Sequence, residues 1–408
     1  MAGGGRARPR GAALVVAVMA VAALVGPAAG AGGAAPTWPD AHEAVDGLGP
    51  TVNIGNALEA PTEGAWGVTI TDDLLDAVVT AGFTAIRLPV RFSAHADAAP
   101  PYTLDPAFLD RVDEVLDGAL ARDLTVIVDL HHYDELFGDL PAHRDRFLAL
   151  WDQLAVHLAD RPPTVWFELL NEPRNDVSDD AWNDLAAEAI ARIRTTNPWR
   201  TVVVGADLYS AVGELADLDL PDDPHVVATI HHYQPFTFTH QGASWVPGAD
   251  AWLGTRWTAT PTAVDRIDRA MATAEDWSDR TGVPVLLGEF GAYSTAPEAD
   301  REAWADCVAR RAEAHGLAWA WWEMAAGFGV WDPATGAFRT GLLRAIVDGD
   351  PDGPCAEPAP PATTTTSATD GTATTSSTST TSASARATTI ATGAPAAIPV
   401  TAAPRLTA

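Results

Sequence analysis

The sequence predicts a closed (β/α)8 barrel, and three observations carry that expectation. Eight short apolar runs recur at 52–57, 85–90, 125–132, 165–172, 201–206, 226–233, 285–291 and 319–325. Between them lie stretches with helical spacing, such as 105–123, 143–160 and 178–198, the first and last opened by Asp105 and Ser178 at the N-cap position. Continuous apolar strands separated by crossover helices imply parallel pairing with a covered outer face. Finally, polar or aromatic groups end seven of the eight runs, at the end of the barrel where functional groups collect.

Taken in order, the first run, VNIGNA, delivers Asn56, with Glu59 just beyond it. The second, AIRLPV, carries Arg87. The third, TVIVDLHH, finishes on His131 and His132 and runs into Tyr133, and the fourth, VWFELLNE, finishes on Asn171 and Glu172. The fifth, TVVVGA, ends without a functional group. The sixth ends IHHY, giving His231 and Tyr233; the seventh, VLLGEFG, gives Glu289; the eighth, WAWWEMA, gives Trp322 and Glu323. Side chains alternate faces along a strand, which sets Glu168 and Glu172 on one face and Leu287 with Glu289 on one face of theirs. Glu168, deeper than Glu172, is expected to be a buried ion-pair partner for a group such as Arg87. By the same alternation the pairs His131–His132 and His231–His232 supply one inward imidazole each and no chelate, so no metal is expected.

The flanks differ in kind from this pattern. Residues 1–31 combine Arg6, Arg8 and Arg10 with an apolar run and a small-residue ending, the form of a secretory signal cleaved near residue 31. Residues 37–355 hold the barrel, and 356–408 are a Thr/Ser/Ala/Pro-rich low-complexity tail that cannot bury a core. Removing the three leader arginines takes the formal charge from −29 to about −32, which opposes nucleic acid and anionic membranes. The expected partner is neutral or cationic, and the expected mature protein is secreted, free of the membrane and monomeric. No Lys occurs among the 25 basic residues, which excludes Schiff-base and pyridoxal-phosphate chemistry. The two cysteines, Cys307 and Cys355, match no redox or zinc spacing; in an oxidising compartment they either pair or remain free thiols.

Two glutamates at the ends of the fourth and seventh strands fit glycoside hydrolysis, which needs one protonated carboxyl for the leaving group and one ionised carboxyl facing the developing oxocarbenium ion. At this point the sequence resembles glycoside hydrolase family 5, the cellulase and mannanase family, over roughly 51–345. LNEP matches its acid/base motif and GEFGAY its nucleophile motif. The resemblance implies Glu172 as acid/base, Glu289 as nucleophile, Asn171 on the sugar 2-hydroxyl, and Arg87 and Tyr233 orienting the nucleophile. It implies His131 and His231 as bonding the sugar or a carboxyl, and Trp322 as the floor at the cleavage point. GNALEAP, FTHQGASWV and GFGVWD bring it closest to a thermophile-type endoglucanase branch. There Asn56, Glu59, Trp245 and Glu323 would meet further sugars, with His132, Tyr133 and Phe236 at the rim. His232 stands where relatives often carry Tyr. The implied activity is a cofactor-free retaining endo-β-1,4-glucanase acting on a neutral β-linked polysaccharide. The alternatives are a mannanase, an exo-acting β-glycosidase on the same fold, and a binding barrel without catalysis. Of the tryptophans, Trp151, Trp182, Trp277 and Trp304 are expected in helix packing, and Trp66, Trp245, Trp322 and Trp331 at the sugar.

Overall fold

The computed structural model describes residues 37–349 and Cys355, so the leader 1–31 and the tail 356–408 lie outside the described residues. All eight expected strands form: β1 (Thr51–Asn53), β2 (Ala85–Val90), β3 (Thr125–Leu130), β4 (Val165–Glu168), β5 (Val202–Gly205), β6 (Val226–His232), β7 (Val285–Phe290) and β8 (Ala318–Trp321). They pair in sequence order, all parallel, and β8 returns to β1 to close the barrel. Helices Asp72–Thr80, Pro106–Leu120, Leu140–His157, Asp179–Arg194, Pro261–Thr281 and Glu298–Ala314 cover it. Their starts are chemically marked: Thr71, Asp105, Asp139 and Thr260 each accept a first-turn backbone N–H. The fifth crossover departs from expectation. A short 3-10 turn, Val212–Asp217, stands where a helix was predicted, in a segment soon interrupted by Pro221 and Pro224.

Inside, the barrel is layered. Ala85, Ile127, Trp166, Val203, Val227 and Leu286 form an apolar bottom layer, and the helix Ala41–Asp46 plugs it with Ala41, Ala44 and Val45. Polar residues occupy the layer above: Asn53, Arg87, Asp129, Glu168 and Thr229 are all fully buried. Strand parity therefore holds on β2, β3, β4 and β6, and it fails on β7. There the register shifts so that His231 pairs with Glu289 while Ile230 pairs with Leu287, leaving Gly288 as the extra residue of a bulge. Glu289 consequently shares the inner face with Leu286 and not, as alternation predicts, with Leu287. A side chain at position 288 would meet the Thr229 hydroxyl at 2.5 Å, so the bulge requires glycine.

Three of the expected packing tryptophans also fix the strand-end loops. Trp151, Trp182 and Trp304 are buried in helices, and their indole N–H groups donate to the carbonyls of Leu169 at 3.0 Å, Gly205 at 2.8 Å and Gln234 at 3.1 Å. Each helix thus holds the backbone where a strand leaves the ladder. Trp277 is likewise buried, and Trp331, expected at the sugar, instead packs into the core beside the two-residue strand it forms with Ala337–Phe338.

The cysteines pair. Cys307 and Cys355 form a disulfide with Cα atoms 4.5 Å apart, closing a span of 48 residues onto the buried face of Glu298–Ala314. In the chain-entropy account a loop of that length is worth about 4 kcal/mol. The double variant Cys307→Ala/Cys355→Ala should therefore lower the urea midpoint by an amount corresponding to roughly 2–4 kcal/mol. An unchanged midpoint would show that the bond contributes nothing to stability.

Candidate active site

Arg87, rooted in β2 and fully buried, is the centre of the site. Its five N–H groups are all engaged. Nε and Nη2 hold Glu168 as a fork at 2.7 and 2.8 Å; Nη2 also donates to Asn171 Oδ1 at 2.8 Å; Nη1 donates to Asn53 Oδ1 at 2.9 Å and to Glu289 Oε1 at 2.7 Å. Asp129 Oδ2 lies 2.9 Å from Nη2. Glu168 is thus the buried ion-pair partner the sequence predicts. Because Arg87 takes the Asn171 carbonyl oxygen, the amide NH2 is left to donate elsewhere.

Glu289 has a donor on each oxygen, Arg87 on Oε1 and the Tyr233 hydroxyl at 2.8 Å on Oε2. Glu172 has no such pair. Its carboxyl lies 3.0 Å from His231 Nδ1, which is 3.6 Å from Glu289. One oxygen of each glutamate and a ring nitrogen of His231 all fall within 4.8 Å of one another. Burial raises both glutamates above the usual carboxylate range. For Glu289 a charged His231, the nearby Arg87 and the Tyr233 hydrogen bond oppose that rise, the first of them only at acid pH where His231 is protonated, while Glu172 raises it further. The Tyr233 phenol is pushed well up by burial and by the Glu289 and Glu172 charges, so it stays a donor. His231 is pushed down to about 4 by burial and stays neutral at ordinary pH.

Glu172 reaches the mouth by a route alternation does not describe. β4 ends at Glu168, and Glu172 sits in the following turn in the left-handed region, φ 50°. On β3, Asp129 and His131 share the inner face, with His131 Nδ1 2.5 Å from Asp129 Oδ2. The His131 ring stacks on Trp322 at 5.6 Å and 8°. Trp322 is half-buried and rests on Gly55, where a side chain would come within 2.8 Å of the indole. His132 lies beside His131 at 4.6 Å and meets Trp66 edge-on at 5.9 Å, continuing an aromatic line away from Trp322. On the other wall Tyr233, Phe236, His240, Trp245, Tyr293 and Phe328 form a connected ring cluster.

The structure therefore gathers Glu172, Glu289, Arg87, Asn171, His131, His231, Tyr233 and Trp322 at one point, with Asn56, His132, Phe236 and Trp245 around it. Three expected contacts need correction. Tyr133 is fully buried, its hydroxyl bonded to Arg146 and His143, and does not reach the rim. Glu59 and Glu323 are buried too. Glu59 accepts the backbone N–H groups of Asn56 and Ala57, and Glu323 those of Ala326 and Phe328, so they brace the loops that carry Asn56 and Trp322. Burial pushes Glu59 to about 8 and Glu323 to about 7. Three contributors were missed. Asp129 and Asn53 stand on the inner face, and alternation from His131 would have found Asp129. His240, 5.0 Å from Tyr233, carried no periodic signal.

A parallel (β/α)8 barrel with two carboxyls facing each other, one just beyond the fourth strand and one near the end of the seventh, fits a glycoside hydrolase. The chain belongs to the cellulase family, glycosyl hydrolase family 5, whose model matches residues 50–327. Endoglucanase H of Acetivibrio thermocellus is 33% identical over 314 residues, 75% of this chain and 33% of that protein. The chain thus spans about a third of that relative, and 35% of cellulase/esterase CelE from the same organism. Among solved structures, Thermotoga maritima Cel5A in complex with cellobiose is 42% identical, with a TM-score of 0.74 over 76% of this chain and 100% of that chain. The same enzyme with mannotriose is 41% identical with the same TM-score and coverage.

Behind the site, burial pushes His232 down to about 4 from 6.5; it stacks on Trp304, and its Nε2 has no hydrogen-bond partner among the described residues. The unfolded chain takes up that proton near pH 6.5 and the folded chain does not, so this contribution is complete above 6.5 and is lost as pH falls toward 4. His232→Phe keeps the stacking and removes the proton site. Its unfolding free energy should fall less than the wild type's between pH 6.5 and 4, by up to about 3 kcal/mol. Parallel pH profiles would contradict the assignment.

Proposed function

We propose that this chain is a retaining endo-β-1,4-glucanase that also accepts glucomannan. The observation that carries the reading is the pair Glu172 and Glu289, one oxygen of each within 4.8 Å. That closeness suits a carboxylate that attacks the sugar itself, since an intervening water in an inverting enzyme needs carboxyls roughly 6.5–9.5 Å apart. Glu289 is the nucleophile because both its oxygens already have donors that favour the charged form. Glu172 is the acid/base because it is half-buried without a comparable pair of donors and keeps a proton for the leaving oxygen. Once the glycosyl ester forms, the Glu289 charge is gone, the Glu172 proton is held less tightly, and Glu172 accepts a proton from the incoming water. Asn171, its carbonyl held by Arg87, offers its NH2 to the 2-hydroxyl, and Trp322 underlies the ring.

The substrate reading is supported by the relatives. Endoglucanase is the name of several, and Thermotoga maritima Cel5A has been solved with both cellobiose and mannotriose. Rings on both walls of the mouth suit a chain running past the catalytic pair, as endo action needs. We further read the enzyme as exported and monomeric, from the Arg-led apolar leader and the strongly acidic composition.

Glu172→Ala should cripple polysaccharide hydrolysis and spare the first step on aryl cellobiosides whose leaving group needs no proton, and added azide should then give the β-azide. Wild-type digests of barley β-glucan should contain mixed oligosaccharides. Proton NMR showing an α-azide would exchange the roles of the two glutamates; an initial product of inverted configuration would remove the double displacement, and monosaccharide alone would remove endo action.

A further inference from the structure

We propose that Arg174 is the positioning residue of the acid/base: clamped between the rings of Phe137 and Tyr209, its guanidinium holds the Glu172 backbone in the left-handed turn from which that carboxyl enters the mouth. The inference rests on the reading of Glu172 as acid/base and adds the device that places it.

Glu172 is not glycine, and a non-glycine residue at φ 50° persists where its surroundings over-determine it. The fixing contact comes from Arg174, whose Nη1 donates to the Glu172 carbonyl at 2.8 Å. Arg174 is itself constrained. Its side chain is 15% exposed, its guanidinium carbon lies 3.8 Å from the Phe137 ring centre and 5.2 Å from that of Tyr209, and Nη2 is 3.4 Å from Asp134. Such cation–ring contacts suit a planar guanidinium, which stacks as well as donates.

The clamp is tied into the loop on both sides. The Asp176 N–H donates to the Phe137 carbonyl at 3.2 Å and the Tyr209 N–H to the Pro173 carbonyl at 3.1 Å. Tyr209 stands in a second left-handed stretch: Leu208, Tyr209 and Ser210 have φ of 46°, 65° and 55°. Two strained turns, after β4 and after β5, therefore meet at one cation beside the acid/base.

The guanidinium is also the largest charge favouring the ionised form of Glu172 against burial. Without it, Glu172 should keep its proton to higher pH. The test is Arg174→Gln, assayed on cellopentaose, whose leaving group needs a proton, and on 2,4-dinitrophenyl β-cellobioside, whose leaving group does not. We expect kcat/KM on cellopentaose to fall roughly 10- to 100-fold, with little change on the aryl glycoside, and the alkaline limb of the cellopentaose profile to move upward. Arg174→Lys, which keeps the charge and loses the stack and the fork, should lose cellopentaose activity while its limb stays near the wild type's. Equal losses on both substrates, or an unmoved limb in Arg174→Gln, would overturn the proposal and leave the glucanase reading intact. A wild type inactive on both substrates would overturn that reading as well.

Discussion

One buried guanidinium sets most of what this barrel can do. Arg87 is out of contact with water and spends all five N–H groups on Asn53, Glu168, Asn171 and Glu289, which come from β1, β4, the turn after β4, and β7. Asp129 on β3 adds its charge. A buried charge is tolerable when it is paired and hydrogen-bonded, and such a cluster does more for geometry than for net stability. Here the geometry is the gain. A planar fork fixes the directions of several groups at once, which a lysine ammonium would not do.

The same arrangement makes the two facing carboxyls unequal. Arg87 alone cannot compensate the three carboxylates it touches, Asp129, Glu168 and Glu289, with Glu172 beside them, and burial already raises all four carboxyls. The proton is best kept where donors are fewest, and that is Glu172. Backbone irregularity completes the division of labour: the bulge at Gly288 turns Glu289 inward against strand parity, and a left-handed turn lifts Glu172 to face it. Both departures from regular structure fall at the site and serve it.

The eight strands were legible because parallel strands covered by helices must be continuously apolar, and their ends were legible because polar residues interrupt those runs. Glu172 and Glu289 were found, although for partly wrong reasons. Alternation assumes a regular strand, and β4 stops four residues short of Glu172 while β7 carries an extra residue. Gly288 inside an apolar strand was the available signal for the bulge. Glu59, Glu323 and Tyr133 were misjudged because periodicity does not say which way a side chain turns once it leaves a strand: Glu59 and Glu323 turn onto the N–H groups of their own loops, and Tyr133 meets Arg146 of the helix Leu140–His157. The pairing of Cys307 with Cys355 depended on a distance that only the folded chain provides. Arg174 went unremarked because a lone arginine after NEP says nothing until Phe137 and Tyr209 close on it.

The central claim is that Arg87 and Tyr233 make Glu289, and not Glu172, the carboxylate that bonds to the sugar. Incubation with 2,4-dinitrophenyl 2-deoxy-2-fluoro-β-cellobioside should slow the second step and trap the glycosyl enzyme. Mass spectrometry of the protease-digested adduct should then place a single fluorocellobiosyl group on the peptide holding Glu289, at that residue. A label on Glu172, or inactivation without a covalent adduct, would contradict the account.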